Sequence, residues 1–213
     1  MNFDVFIRSI SKIKNIELPA EASHFKMVPP LRRELLRNQR GKVSNARLAG
    51  VLALFFPDRN GQTNFVVILR KTYNGVHSAQ VGFPGGKLEI QDQTLQDAAL
   101  RETFEEIGVP ERDVEIICEL TQVYIPPSNF HVSPFIGITK HTPVFIKQED
   151  EVESIIEVPL RHLLNDAVLI SKRVATSYNV EIEVPAFQLN NHIVWGATAM
   201  MLSEIKDLLK QVF

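Results

Sequence analysis

The 213-residue chain predicts an α/β protein of the α+β type, with helices packed on a mixed β-sheet. Two observations carry that expectation. Segments with strand-like alternation are interspersed with segments of helical periodicity, and tight-turn residues recur between the strands. A chain of this length supports one substantial core, so a single domain is expected, with residues 1–45 as a helical extension and 46–213 as its main body.

Taken in order, Phe3, Phe6, Ile7, Ile10 and Ile13 follow the spacing of one helix face, so the chain opens on an amphipathic helix. Pro29-Pro30 ends the following loop and starts a short helix over 31–37. Arg32, Arg33, Arg37, Arg40 and Lys42 make this the most basic stretch of the chain. A solvated face is its ordinary explanation; a subunit contact or a lip for an anionic substrate is the sharper one. Residues 46–56 and 64–70 read as strands joined by the hairpin turn Asp58-Arg59-Asn60-Gly61. A short strand over 80–83 precedes Pro84-Gly85-Gly86, which reads as a turn. The clearest helix covers 94–107: Thr94 and Asp97 form a capping box, Gly108 suits the position after the helix, and Pro110 blocks continuation. Strands are expected over 114–120, 131–139 and 152–158, a short helix over 159–164, extended segments over 180–184 and 187–189, and a closing helix over 197–209.

The formal charge of −2 argues against a general affinity for nucleic acid or anionic membrane, which needs a basic excess. Cys118 is the only cysteine, which excludes an intrachain disulfide and favours a reducing compartment. Its alternating surroundings make it a core thiol and not a nucleophile. Asp4, Arg8, Lys12 and Lys14 interrupt any signal-like apolar run, and the longest apolar stretch, 49–56, is far too short to span a bilayer. A soluble cytoplasmic protein is expected.

The helix over 94–107 carries an anomaly. At 100° per residue, Leu100, Thr103, Phe104 and Ile107 gather as one core stripe, while Leu95, Ala98 and Ala99 gather opposite. Glu102, Glu105 and Glu106 continue that second stripe. Two carboxylates about 5 Å apart repel by roughly 3 kcal/mol at an effective dielectric near 20, and these lie where the helix dipole disfavours anions. A hard dication held by oxygen ligands would offset the repulsion. An E-x-x-E-E helix alone is more often a solvated face. Here Arg101 precedes the acids, and Phe83-Pro84-Gly85-Gly86 upstream allows the backbone to approach a metal or phosphate closely.

At these residues the sequence resembles the Nudix hydrolases. The second half of that family's box is matched by Arg101-Glu102-Thr103-Phe104-Glu105-Glu106-Ile107-Gly108-Val109, departing only at Thr103, where an aliphatic residue is expected. Fourteen residues separate Gly86 from Arg101 instead of thirteen, and Asp92 stands near the usual glutamate. Both departures resemble the coenzyme A pyrophosphatase branch, as do Ile68-Leu69-Arg70 and the run from His77 to Gly86. Ala79 replaces the branch's glycine, and the threonine before Arg70 is missing. Shorter similar pieces include Val132-Ser133-Pro134, Asp150-Glu151-Val152, Val158-Pro159-Leu160 and the run from Val194 to Ala199. The resemblance runs from about Arg47 to the C-terminus.

The resemblance implies a Nudix-like α/β/α sandwich in which Glu102, Glu105 and Glu106, with the Gly86 carbonyl, bind Mg²⁺ or Mn²⁺. Those ions would bridge the diphosphate oxygens and activate a water. Arg101 would orient the acids, and Asp92 or Glu89 would fill the outer role of the box's first acid. The general base is Glu151 or Glu105; Glu151 is otherwise one exposed acid in a cluster of three. Arg70, His77 and Gln80 would contact substrate. Tyr124 and Phe130, around Pro126-Pro127, either touch an adenine or pantetheine arm or serve in packing; Trp195 is expected in the core. The substrate implied is a small-molecule nucleoside diphosphate derivative, with coenzyme A or an acyl-CoA first, giving 3′,5′-ADP and 4′-phosphopantetheine. NADH, ADP-ribose or a nucleotide sugar is the alternative, and a non-catalytic nucleotide sensor is the rival of another class. A homodimer is left open, with the N-terminal helix as an available contact.

Overall fold

The computed structural model describes residues 1–29, 45–72, 80–175 and 181–213. His77, the helix expected over 31–37 and the basic residues around it lie outside these.

Period-two alternation in the first long strand organises the molecule. Strand β1 (Arg47–Pro57) sends Ala49, Ala53 and Phe55 into one apolar cluster and Leu52, Leu54 and Phe56 into another on the opposite face. Both faces of the sheet are therefore covered, giving three layers. β1 is central. It runs parallel to β7 (Phe130–Ile138) and antiparallel to its hairpin partner β2 (Thr63–Arg70) and to β4 (Gly85–Lys87). β2 pairs with β3 (Val81–Gly82) and with β8 (Val152–Pro159). β7 also pairs with β5 (Glu115–Glu119) and β6 (Val123–Ile125). One parallel pair among antiparallel ones makes the sheet mixed, as expected. A second, three-stranded antiparallel sheet joins β9 (Leu169–Ala175), β10 (Glu181–Leu189) and β11 (His192–Val194).

Helix α1 (Phe3–Ile10) and the last helix, α5 (Gly196–Val212), cover the first face, where Phe6 stacks near Phe55 and Phe213. The apolar face of α1 is thus consumed inside the chain. Short α2 (Ala20–His24) packs on α5, and α4 (Leu160–Leu164) follows β8. On the second face lies α3 (Leu95–Ile107), packed on β1 and β4. None of the described helices is long and apolar enough to cross a membrane.

Several elements differ from the sequence expectation. Gly85-Gly86 is not only a turn but the start of β4, a strand held by its pairing with β1. The strands β6, β9 and β11 and the helix α2 form where the sequence expectation has loop or no element. β10 runs unbroken through Pro185, which lies opposite Ser171 of β9 at a position beyond the β11 ladder, where, among the described residues, β10 has a neighbour on one side alone. The two opposed buried faces of α3 are in fact one broad arc of Ala98, Ala99, Thr103, Glu106 and Ile107, and Phe104, expected in the core, is 51% exposed.

Candidate active site

Helix α3 holds its acids in a fixed frame. The Thr94 side chain accepts from the Asp97 amide, and the Asp97 side chain accepts from the Thr94 amide, completing the capping box. Gly108 takes φ +76°, and its amide donates to the Phe104 carbonyl, ending the helix. Thr103, the departure from the family pattern, is buried with its hydroxyl donating to the Ala99 carbonyl at 2.6 Å. The helix's own backbone satisfies the hydroxyl, so a threonine fits where an aliphatic residue is usual.

Beyond the helix, the amides of Ile146 and Gln148 donate to the carbonyls of Ile107 and Glu106. These carbonyls have no partner within the helix, so the segment before β8 is docked against the helix end. The Gln148 side-chain oxygen accepts from the amides of Asp150 and Glu151, and the Glu151 carbonyl accepts from the Lys71 amide. By these bonds Glu151 is delivered close enough to Glu102 and Glu106 for its charge to act on both.

The acids differ sharply in environment. Glu106 is 2% exposed; its Oε2 accepts from the Gly85 amide at 2.9 Å, and its Oε1 lies 3.0 Å from Arg70 Nη1. That contact is an ion pair without hydrogen-bond alignment, so Oε1 is a buried oxygen lacking a hydrogen bond. Burial pushes the Glu106 carboxyl up to about 7, against the pull of Arg70. Glu102 is also raised by burial, opposed by Arg101. Glu105 is exposed and pairs with Arg101 at 3.0 Å. Arg101 grips Asp92 through Nε and Nη2 at 3.0 and 3.1 Å and reaches Glu102 at 3.2 Å. That fork holds Asp92 below the usual carboxylate range. The outer role is therefore divided: Asp92 anchors Arg101, while Glu89 lines the cavity. Arg70, expected on substrate, also donates to the Gly85 carbonyl at 2.9 Å and so braces the acid cluster.

A cavity of about 580 Å³ opens in front of these groups, within the usual range for a small-molecule site. Its polar lining comprises Arg70, Glu89, Arg101, Glu102, Glu105 and Glu151, with Gln80 and the backbone of Gly86. Its apolar lining includes Tyr124, Phe130 and Trp195. Trp195, expected in the core, is a half-buried wall residue. Met27, Val28, Met200 and Met201 also line the cavity, and no motif in the sequence points to them. Cys118 lies away from the cavity, and burial pushes its thiol up to about 11, consistent with an inert side chain.

The donor set suits a hard divalent cation. Only carboxylate and backbone oxygens are offered, Glu106 Oε1 lacks a hydrogen bond, and Gly86 leaves room that a Cβ would fill, 2.3 Å from the Glu102 carboxyl carbon. Among the described residues no three acidic, histidine or cysteine side chains already converge on one point; Arg70 and Arg101 hold the acids instead. The cluster can bind cations, place a carboxylate near water, and receive an anionic group between two guanidiniums.

Comparison with known proteins matches residues 46–176 to the NUDIX domain. The chain is 33% identical over 176 residues to the uncharacterized Nudix hydrolase NudL of Citrobacter koseri, covering 81% of this chain and 88% of that protein. It is 30% identical to Nudix hydrolase 3 of Caenorhabditis elegans, covering 78% of this chain and 74% of the relative. Its fold is similar to the crystal structure of a Nudix hydrolase from M. smegmatis, RenU, with a TM-score of 0.54 at 13% identity over 79% of this chain and 88% of the other.

Proposed function

The chain belongs to the Nudix hydrolase family, and from that premise we propose that it cleaves the diphosphate bond of coenzyme A or an acyl-CoA, releasing 3′,5′-ADP and the 4′-phosphopantetheine half. The observation carrying the hydrolytic reading is the buried, partly unsatisfied carboxylate of Glu106, set just behind Glu102 and Glu151, which line the cavity. The preference for coenzyme A is supported by the segment from Arg70 to Gly86, which resembles that branch, and by the cavity's apolar lining, which suits an uncharged arm.

In this reading Glu102, Glu105 and Glu106, with the Gly86 carbonyl, hold Mg²⁺ or Mn²⁺. A divalent ion there supplies Lewis-acid polarisation of the diphosphate and lowers the proton affinity of water. Glu151 serves as general base: it sits at the cavity with its backbone fixed, and among the described residues no guanidinium pairs with it as Arg101 does with Glu105. Arg101 keeps Glu102 and Glu105 in place through its grip on Asp92. Arg70 neutralises Glu106 while facing the same cavity as the substrate phosphates. Gln80 lines the wall beside it; His77 lies in the same connection, outside the described residues. We also take the protein to be cytoplasmic and residues 1–213 to act as one domain.

The test is a panel of coenzyme A, acyl-CoA, NADH, ADP-ribose and a nucleotide sugar, each with Mg²⁺ or Mn²⁺, with products identified by mass. Phosphopantetheine release from coenzyme A supports the proposal. Good turnover of ADP-ribose with none of coenzyme A would overturn the substrate, and binding without any product would favour a sensor.

A further inference from the structure

Part of the cavity's apolar lining comes from outside the family-matched segment. Met27 and Val28 come from the N-terminal region, and Trp195, Met200 and Met201 come from the start of α5 and the residue before it. Every methionine of the chain except Met1 lines the cavity. Methionine is unbranched and polarizable, so a wall rich in it adapts to apolar groups of varying shape.

A polar latch holds this wall in place. Glu204 on α5 is fully buried. It accepts from His24 Nε2 at 2.9 Å, from the Thr121 hydroxyl at 2.6 Å and from the Thr121 amide at 3.3 Å. One turn further along, Asp207 accepts from Lys26 Nζ at 2.6 Å and from the Ser23 hydroxyl. Thr121 leads into β6, whose Tyr124 and Ile125 line the same cavity. Glu204 thereby ties together three segments, each of which contributes wall. A buried carboxylate is unfavourable unless donors satisfy it, and an apolar residue of similar size often does as well for stability. What this network supplies in addition is a defined position for Met27 and Val28.

We propose that residues 23–28, fastened to α5 by Glu204 and Asp207, form the specificity wall of the active site and select diphosphates whose second half ends in a flexible apolar group. This rests on the diphosphate reading above and assigns the part of the ligand that the acidic residues do not touch. Glu204 is a positioning residue in this scheme; Met27, Val28, Met200 and Met201 are the contacts.

Trp195 is the only tryptophan and stands at the cavity, so its fluorescence reports occupancy without turnover. The experiment titrates the protein in EDTA with coenzyme A thioesters of increasing acyl length, with ADP-ribose as the polar comparison. Affinity is expected to rise by roughly tenfold for every two methylenes until the space is full. Val28→Phe should bring that plateau to shorter chains, and Met200→Phe, at a less buried position, should do the same if the first variant fails to fold. Glu204→Gln should flatten the chain-length dependence, which a merely structural role would leave intact. Affinity independent of chain length, or a loss by one common factor across all ligands in the variants, overturns the proposal. Absence of hydrolysis in the substrate panel would leave this binding result standing, and chain-independent binding would leave the hydrolytic reading standing.

Discussion

Glu106→Gln should stabilise the metal-free protein at alkaline pH while removing its activity. A carboxyl held near 7 against an ordinary 4.5 corresponds to about 3 kcal/mol. Below the unfolded value the group is protonated in both states and contributes no difference. As pH rises from 4.5 towards 7, the unfolded chain gives up the proton while the fold still keeps it, so stability falls across this window. Above about 7 the full disadvantage is present. Glutamine has nearly the same shape and does not titrate, so it escapes the disadvantage. Arg70 loses its ion-pair partner in the exchange, which reduces the expected gain to about 1–3 kcal/mol. Urea unfolding in EDTA at pH 8 and at pH 5 measures this: the variant should be more stable at pH 8, with the gap closing at pH 5. Mg²⁺ or Mn²⁺ at one thousand times Kd should reverse the order, because binding then adds about 4 kcal/mol to the wild type. A variant no more stable than wild type at pH 8, or one with the same gain at both pH values, would refute the argument that burial strains this carboxylate.

Three other substitutions probe the same frame. Arg101→Lys cannot reproduce the fork on Asp92 together with the contacts to Glu102 and Glu105, so kcat should fall about ten- to a hundredfold with the fold retained, as measured by steady-state kinetics and circular dichroism. Gly86→Ala would place a Cβ 2.3 Å from the Glu102 carboxyl carbon; metal affinity by calorimetry should weaken by roughly tenfold or more. Glu151→Gln should lower kcat by about 10²–10⁴-fold with metal affinity by calorimetry little changed, whereas loss of a merely solvated acid would leave kcat unaltered.

Local signals were read well from the sequence because local chemistry creates them. The capping box at Thr94, the left-handed Gly108 and the Asp58–Gly61 turn each depend on neighbours a few residues away. The acids of α3 were legible for a related reason: their mutual repulsion is written in their spacing. β4 was not legible, since Gly85 and Gly86 carry no side-chain pattern and become a strand only by lying against β1. Phe104 was misplaced because periodicity cannot tell which of two apolar arcs meets the sheet. The latch is the extreme case, joining His24 to Glu204 across 180 positions, and no local pattern could announce it.

The acid cluster beside the cavity explains why such a helix is tolerated. Among the described residues, Asp92, Glu102, Glu105, Glu106 and Glu151 face two guanidiniums, those of Arg70 and Arg101, while Lys87 pairs with Glu89. The fold does not balance this charge; it distributes it. Asp92 is fully paired and held ionised, Glu105 remains in solvent, and Glu106 is left to carry the burial that raises it. Two fixed cations suffice to hold rotamers, yet three acids remain without a full counter-charge. A hydrophobic substitution at Glu102 or Glu106 would relieve both repulsion and desolvation, so stability alone does not account for these residues. In the reading proposed above, a divalent ion completes the balance, which places the cost of the site in the metal-free state and its return in the loaded one.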